Sequence, residues 1–378
     1  MSLFDHITQP VLLLDVGKTK ANIACMQAKA DAQGIRLRPH FKTHQSARIG
    51  DWFREAGTRH ITVSSVVMAE YFARHGWNDI TIAFPVNVHE MTDIQRLAEK
   101  VRLGLLVESV ETAGMLRREL LAPTDVWIKI DVGAHRTGID WENEAAIRAV
   151  ADVIGGSALL HFAGVLTHAG HTYRAAEVEE IRSIYRESVE RMNRVRDMLQ
   201  GHGMPAVQVS VGDTPGCTLT PSLGAVDEIR PGNYVFFDVH QTSIGTCKAD
   251  EVAVALACPV VACHPERRQA VIYGGAIHLS KDMTTWQGAS IYGRVCLPEG
   301  EGWSQPLEGC AVTGLSQEHG IVQLSETAAA RLKPGDWVCI LPVHSCLTVD
   351  AMGSYLTLEG EEISTYLTAD SDLHDGRG

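Results

Sequence analysis

From about residue 20 to 240, short β-branched apolar runs alternate with longer amphipathic segments, the pattern of repeated strand–helix units feeding a parallel sheet. Eight runs have the length and composition of strands: Ile35–Arg38, Ile61–Ser64, Ile80–Phe84, Leu103–Val107, Val126–Asp131, Phe162–His168, Ala206–Val211 and Val235–Asp238. Eight such strands predict an α/β fold of the (β/α)8, or TIM-barrel, type. Helical periodicity is clearest over Ala176–Leu199, where Val178, Ile181, Ile184, Val189 and Met192 form an apolar stripe among Glu177, Glu180, Arg182, Arg186, Glu190 and Arg194. That segment is predicted to be an outer barrel helix. After about residue 245 the helical signal fades. Short strands punctuated by Gly or Pro follow, at Glu251–Cys258, Gln269–Tyr273, Ile291–Val295, Gly320–Leu324 and Trp337–Leu341, and predict a second, mostly β domain. Asp370–Gly378 reads as a polar, frayed tail.

A chain of 378 residues exceeds what one hydrophobic core usually serves, which agrees with two domains. The 33 Lys and Arg against 46 Asp and Glu leave a net charge of −13, which argues against nucleic acid and anionic membrane as partners. No run approaches the roughly 18 to 20 apolar residues of a spanning helix, and Val11–Leu14 is too short for a signal core. The nine cysteines lie mostly in apolar runs, as small buried hydrophobes do in a reducing compartment rather than as a disulfide framework. A soluble, cytoplasmic protein is expected.

Reactive groups of a parallel barrel sit at the C-terminal ends of its strands, so the polar residues after each apolar run carry the candidate chemistry. The first run leads to Arg38-Pro39-His40-Phe41-Lys42-Thr43-His44. An amine crowded by cations loses proton affinity, which a Schiff-base lysine needs, so Lys42 is the candidate and pyridoxal phosphate its natural partner. The fifth run ends in Asp131-Val132-Gly133 and Arg136-Thr137-Gly138, where Arg136 is either a helix-starting charge or a cation at the barrel mouth well placed to hold the cofactor's phenolate oxygen. The sixth ends in His168-Ala169-Gly170-His171-Thr172-Tyr173. His168 and His171 have a spacing compatible with zinc or with structural hydrogen bonds, while Tyr173 favours acid–base work. The seventh, Ser210-Val211-Gly212-Asp213-Thr214-Pro215-Gly216, offers glycines and hydroxyls to a phosphate, and Arg230-Pro231-Gly232-Asn233-Tyr234 is read as opening the eighth strand. In the second domain, Pro342-Val343-His344-Ser345-Cys346 puts an imidazole and a thiol two residues apart. In an extended stretch they share a face, so one metal could take both, although such a pair also arises by chance; thiolate plus imidazole favours zinc.

With these motifs in one order, and Gln317-Glu318-His319-Gly320 between them, the chain resembles the D-serine dehydratase and D-threonine aldolase family of fold-type III pyridoxal phosphate enzymes over nearly its whole length. The resemblance implies an alanine-racemase-like barrel over residues 20–245 with Lys42 as the cofactor lysine. A β domain of residues 246–378 would also recruit residues 1–19. It implies cofactor contacts from His40, Arg136, Tyr173, Ser210, Gly212, Thr214, Gly232, Asn233 and Tyr234, and catalytic roles for Lys42, His171 and Tyr173. It also implies a divalent metal, zinc by the cysteine, on His344 and Cys346, and a homodimer. One departure stands out: where relatives typically read Asp-Ala-Gly before a Ser-x-Asp segment, this chain has Tyr273-Gly274-Gly275-Ala276, followed by His278 and Ser280-Lys281-Asp282.

The expected substrate is a D-configured 3-hydroxy amino acid. Elimination of its hydroxyl, with Lys42 taking the Cα proton, gives a keto acid and ammonia; retro-aldol cleavage, with a base such as His171, gives glycine and an aldehyde. The thiolate ligand favours elimination. A racemase would need a second base and no metal, a pyridoxal phosphate carrier would need no second domain, and a zinc hydrolase on His168 and His171 would need no lysine.

Overall fold

The computed structural model describes residues 3–369, so the tail read at Asp370–Gly378 lies outside the described residues. The chain divides into two compact units: one of residues 25–42 and 53–232, the other of residues up to 24, 43–52 and from 233 onward. The division after residue 232 falls earlier than the expected 245, and the short segment 43–52, directly after Lys42, groups with the second unit.

The first unit is the barrel. Its parallel strands are Arg36–Leu37, Ile61–Val63, Asp79–Pro85, Arg102–Val107, Thr124–Asp131, Leu160–Leu166, Gln208–Val211 and Glu228–Ile229, hereafter the first to the eighth. Hydrogen bonding runs from the first strand through the eighth, seventh and so on down to the second. The circle closes at a single bridge between His40 and Thr62, where Thr62 N donates to Pro39 O (2.9 Å) and Phe41 N to Thr62 O (2.8 Å). The central parts of the strands are buried, for instance Leu103–Val107, because helices cover one side and packed side chains fill the other. The predicted outer helix is present as Val178–Gly201 and buries Ile181, Val189 and Met192. At Gly164 (φ +142°) the sixth strand presses on the seventh so closely that a Cβ would lie 2.1 Å from Gln208 O, a position only glycine fills.

Seven of the eight expected strands are present near their expected positions; the eighth is not Val235–Asp238. That strand is Glu228–Ile229, so Arg230–Tyr234 follows it instead of opening it. The apolar run Val235–Phe237 is buried in the second unit, where Asn233–Val235 forms a 3-10 turn. A two-residue strand containing a glutamate carries no apolar pattern, and its pairing comes entirely from its neighbours.

In the second unit, Gln269–Tyr273, His319–Gln323, Ala311–Leu315, Gly293–Cys296, Trp337–Pro342 and Val254–His264 pair in that order, and the last returns to the first, closing a six-strand circuit. Val11–Leu14 adds to Val254–His264 antiparallel and to Ser354–Thr357 in parallel. The strand ending at Pro342 gives way to a helix, Ser345–Met352, with His344 as its N-terminal flanking residue. His344 and Cys346 therefore sit on a strand-to-helix corner, not on one face of a strand. All nine cysteines are free thiols.

Candidate active site

In the barrel unit the residues after the first strand alternate sharply in environment. Phe41 is buried among Phe53 (4.9 Å between ring centroids), Phe72 (4.9 Å) and Trp77 (5.1 Å), while Lys42 is exposed in the following turn. The aromatic cluster fixes the backbone so that the next side chain points out of the core. The Lys42 N–H donates to Nδ1 of His40 (3.4 Å), so that ring's proton sits on Nε2.

The mouth is cationic. Burial first, then the charges of Lys42, Arg230 and Arg136, hold His40 well below the usual histidine range; burial, Lys129, Lys42 and Arg136 do the same to His168. Both rings are neutral at physiological pH. Lys129, inside the fifth strand, is itself lowered to about 7, chiefly by burial and then by Arg230 and Arg136. His168 Nδ1 donates to Gly212 O at 2.5 Å, leaving Nε2 as the acceptor. Arg136 rides on a loop held by Asp131, whose Oδ1 accepts from Gly133, Ala134 and His135 N–H groups (2.9, 2.9 and 3.1 Å).

At the seventh-strand turn, Thr214 N donates to the Tyr173 hydroxyl (3.1 Å), and buried Thr214 Oγ1 has no hydrogen-bond partner among the described residues. Asp213, raised to about 6 by burial, caps the helix Thr214–Leu219 and accepts from Thr172 Oγ1 (3.0 Å), which ties the His171–Tyr173 turn to it. Gly212 is required by packing: a Cβ there would meet Arg230 backbone at 2.8 Å. A waiting hydroxyl beside Tyr173 in a cationic mouth fits an anionic cofactor such as pyridoxal phosphate. His171 is half-buried, its Nδ1 lacks a partner among the described residues, and burial followed by Arg191 lowers its pKa.

Two of the expected contacts are turned elsewhere. The Ser210 hydroxyl donates to Glu228 Oε1 (2.7 Å) and accepts from Arg230, so it is engaged inside the barrel. The Asn233 amide donates to Asp238 Oδ2 (2.7 Å), Ser345 Oγ (2.9 Å) and Cys346 Sγ (3.7 Å), so its side chain belongs with the second unit's site. Tyr234 is fully buried in that unit, and Gly232 is the last residue of the barrel unit.

In the second unit, Cys346 is buried and its sulfur lies 3.3 Å from the Thr43 hydroxyl. His344 Nδ1 is 2.6 Å from Asp282 Oδ2. Burial opposes charge on His344, yet Cys346, Asp238 and Asp282 raise its pKa to about 10. A pocket that stabilises a cation between a thiol and carboxylates fits a divalent metal on His344 and Cys346. Among the described residues no group of three or more His, Cys, Asp or Glu is placed to hold a metal, so His344 and Cys346 stand as a pair of candidate donors. Tyr273 ends its strand opposite His319, with its ring edge-on to His278 (5.4 Å), while Asp282 supplies the carboxylate at His344.

Reasoning from the sequence passed over Lys129, Arg230 and Asp238. A lysine within Trp127-Ile128-Lys129-Ile130 was a visible signal, since charge inside a buried run demands a reason. Asp238 gave none, because its role depends on Asn233 and Ser345 folding onto it.

Comparison with known proteins agrees with both halves. Residues 14–239 match the family described as "Alanine racemase, N-terminal domain", and residues 253–358 match the "Putative serine dehydratase domain". The chain belongs to the D-serine dehydratase and D-threonine aldolase family of alanine-racemase-like enzymes. It is 33% identical to D-threo-3-hydroxyaspartate dehydratase of Delftia sp. strain HT23 over 93% of this chain and 94% of that protein. It is 27% identical to D-serine dehydratase of Dictyostelium discoideum, over 94% of this chain and 95% of the other. The solved Delftia structure superposes with a TM-score of 0.89 at 31% identity, covering 97% of this chain and 99% of that one. A cysteine-to-alanine variant of a D-threo-3-hydroxyaspartate dehydratase, described as in the metal-free form, gives 0.90 at 31% identity over the same shares. Alanine racemase from Clostridium difficile shares the fold at 14% identity and a TM-score of 0.66, covering 95% of this chain and 99% of that one. Members of the family depend on pyridoxal phosphate.

Proposed function

We propose that the protein is a pyridoxal-phosphate- and zinc-dependent lyase that eliminates water from D-3-hydroxy amino acids, giving a keto acid and ammonia. The observation that carries the reading is that Thr43, the residue bonded to Lys42, sets its hydroxyl 3.3 Å from Cys346 Sγ. The two dehydratase relatives, similar along almost the full chain, support it.

Pyridoxal phosphate, held through Lys42, supplies an electron sink for the charge left at the substrate's Cα. A divalent metal on His344 and Cys346 supplies a Lewis acid for the β-hydroxyl. The chain's own residues do the rest. The Lys42 amine takes the Cα proton, the β-hydroxyl leaves as water, and the resulting enamine hydrolyses to keto acid and ammonia. Thr214 Oγ1 and the cationic mouth bind the phosphate, Arg136 balances the phenolate oxygen, and neutral His40 and His168 leave that positive field undiminished. The Thr214 N–H donated to Tyr173 holds that phenol in place beside the seventh-strand turn.

A retro-aldol reading keeps one specific support: His171, with lowered pKa and an unengaged Nδ1 among the described residues, can accept a hydroxyl proton. Parallel keto-acid and aldehyde assays on D-serine, D-threonine and D-threo-3-hydroxyaspartate, with zinc added and with zinc chelated, separate the two. Keto acid that disappears on chelation is expected; glycine plus aldehyde without keto acid would assign the aldolase instead.

A further inference from the structure

Asp282 is half-exposed, on the loop after the short helix Ala276–Leu279, yet its carboxylate is held at one place. Its Oδ2 lies 2.6 Å from His344 Nδ1, and its own N–H donates to Ser280 Oγ (3.2 Å). Ser280 has φ +69° and ψ −179°, a backbone region almost reserved for glycine, and a serine persists there only when its surroundings over-determine it. The helix bearing Cys346 grips the same loop, Thr348 Oγ1 donating to Leu279 O (3.3 Å). An exposed aspartate set by a strained residue against one ring nitrogen is more than a surface ion pair. A carboxylate at Nδ1 keeps the proton on that nitrogen, turns the ring, and leaves the Nε2 lone pair for a metal.

We propose that Asp282 is the positioning residue of the metal site: it fixes the His344 tautomer and ring angle so that Nε2 is presented to the divalent cation. This deepens the function proposed above and rests on its assignment of a metal to His344 and Cys346. A hydrogen-bonded carboxylate also raises the imidazole's basicity as a metal ligand.

The test is zinc affinity, measured by competition with a chromophoric chelator on the full-length holoenzyme, for wild type, Asp282→Ala, Asp282→Asn and His344→Ala. Asp282→Ala is expected to weaken zinc binding roughly 10- to 100-fold. Asp282→Asn, whose amide oxygen still accepts from Nδ1, should recover most of that loss. The thermal midpoint of the zinc-stripped protein and the cofactor's absorbance band should stay the same across these two variants, which separates positioning from folding. Wild-type zinc affinity in Asp282→Ala, or a loss that only tracks a lowered thermal midpoint, overturns the proposal. His344→Ala probes the underlying reading independently: if it binds zinc as wild type does, the metal assignment itself fails, whatever Asp282 does.

Discussion

Lys42 and Lys129 show how differently one side chain behaves at two depths. Lys42 stands exposed in its turn, while Lys129 is buried and lowered to about 7. Between that value and the ordinary lysine range, unfolding takes up a proton that the folded state does not hold. Stability therefore rises with pH in that window, at up to about 1.4 kcal/mol per unit. Lys129→Met is expected to flatten this slope. Urea midpoints at pH 7 and pH 9 check it: wild type should gain stability and the variant should not, and parallel gains would refute the burial argument. Lys42→Ala should abolish the visible absorbance of the cofactor-loaded protein and all turnover; a variant that keeps an imine band would displace Lys42 from its role. Lys42 was legible because it follows an apolar run within Arg38-Pro39-His40-Phe41-Lys42-Thr43-His44, a local signal, whereas the structure leaves the His40 ring neutral. Lys129 was legible only as an anomaly whose meaning waited for Arg136 and Arg230.

At the scale of elements, the loop after the fifth strand and the base of the barrel carry separate demands. Three backbone N–H groups converge on Asp131 and, against its partial burial, hold its pKa below the usual carboxylate range. Its contribution to stability is present above the ordinary aspartate pKa and is lost as pH falls through the lower folded value. Asp131→Ala should cost about 1 to 3 kcal/mol and weaken cofactor binding by freeing Arg136, read by thermal melting and by titration of the apoprotein with pyridoxal phosphate. At the other end, Glu228 Oε2 lies 2.7 Å from Nε of both Arg36 and Arg38, and Arg38 Nη1 reaches Asp79 Oδ1 at 2.5 Å. Glu228→Leu leaves buried guanidinium charge without its main partner, so a loss of about 3 to 5 kcal/mol is expected in urea denaturation. A variant within 1 kcal/mol of wild type would show that Asp79 alone suffices. These charged residues explain why the eighth strand escaped the apolar pattern. Glu228 places a charge where the pattern expects an apolar residue, and Val235–Asp238 drew attention only because it is apolar.

For the molecule as a whole, no helix among the described residues is long and apolar enough to cross a membrane. We expect a homodimer on the family resemblance, and sedimentation at working concentration should return twice the mass of one chain; a monomer would refute it. The sequence alone determined the alternation that makes a barrel, the strand-rich second unit, the lysine proposed to hold the cofactor and the imidazole–thiol pair, because apolar period and motif order are local properties of the chain. Only the tertiary structure decided that His344 and Cys346 share a strand-to-helix corner. It also decided that Asn233 serves Cys346, that Ser210 serves Arg230, and that a carboxylate 62 residues away in sequence meets His344. Those assignments depend on which polar groups become neighbours once water is excluded. A hydrogen bond between distant residues leaves no periodic trace in the order of the amino acids.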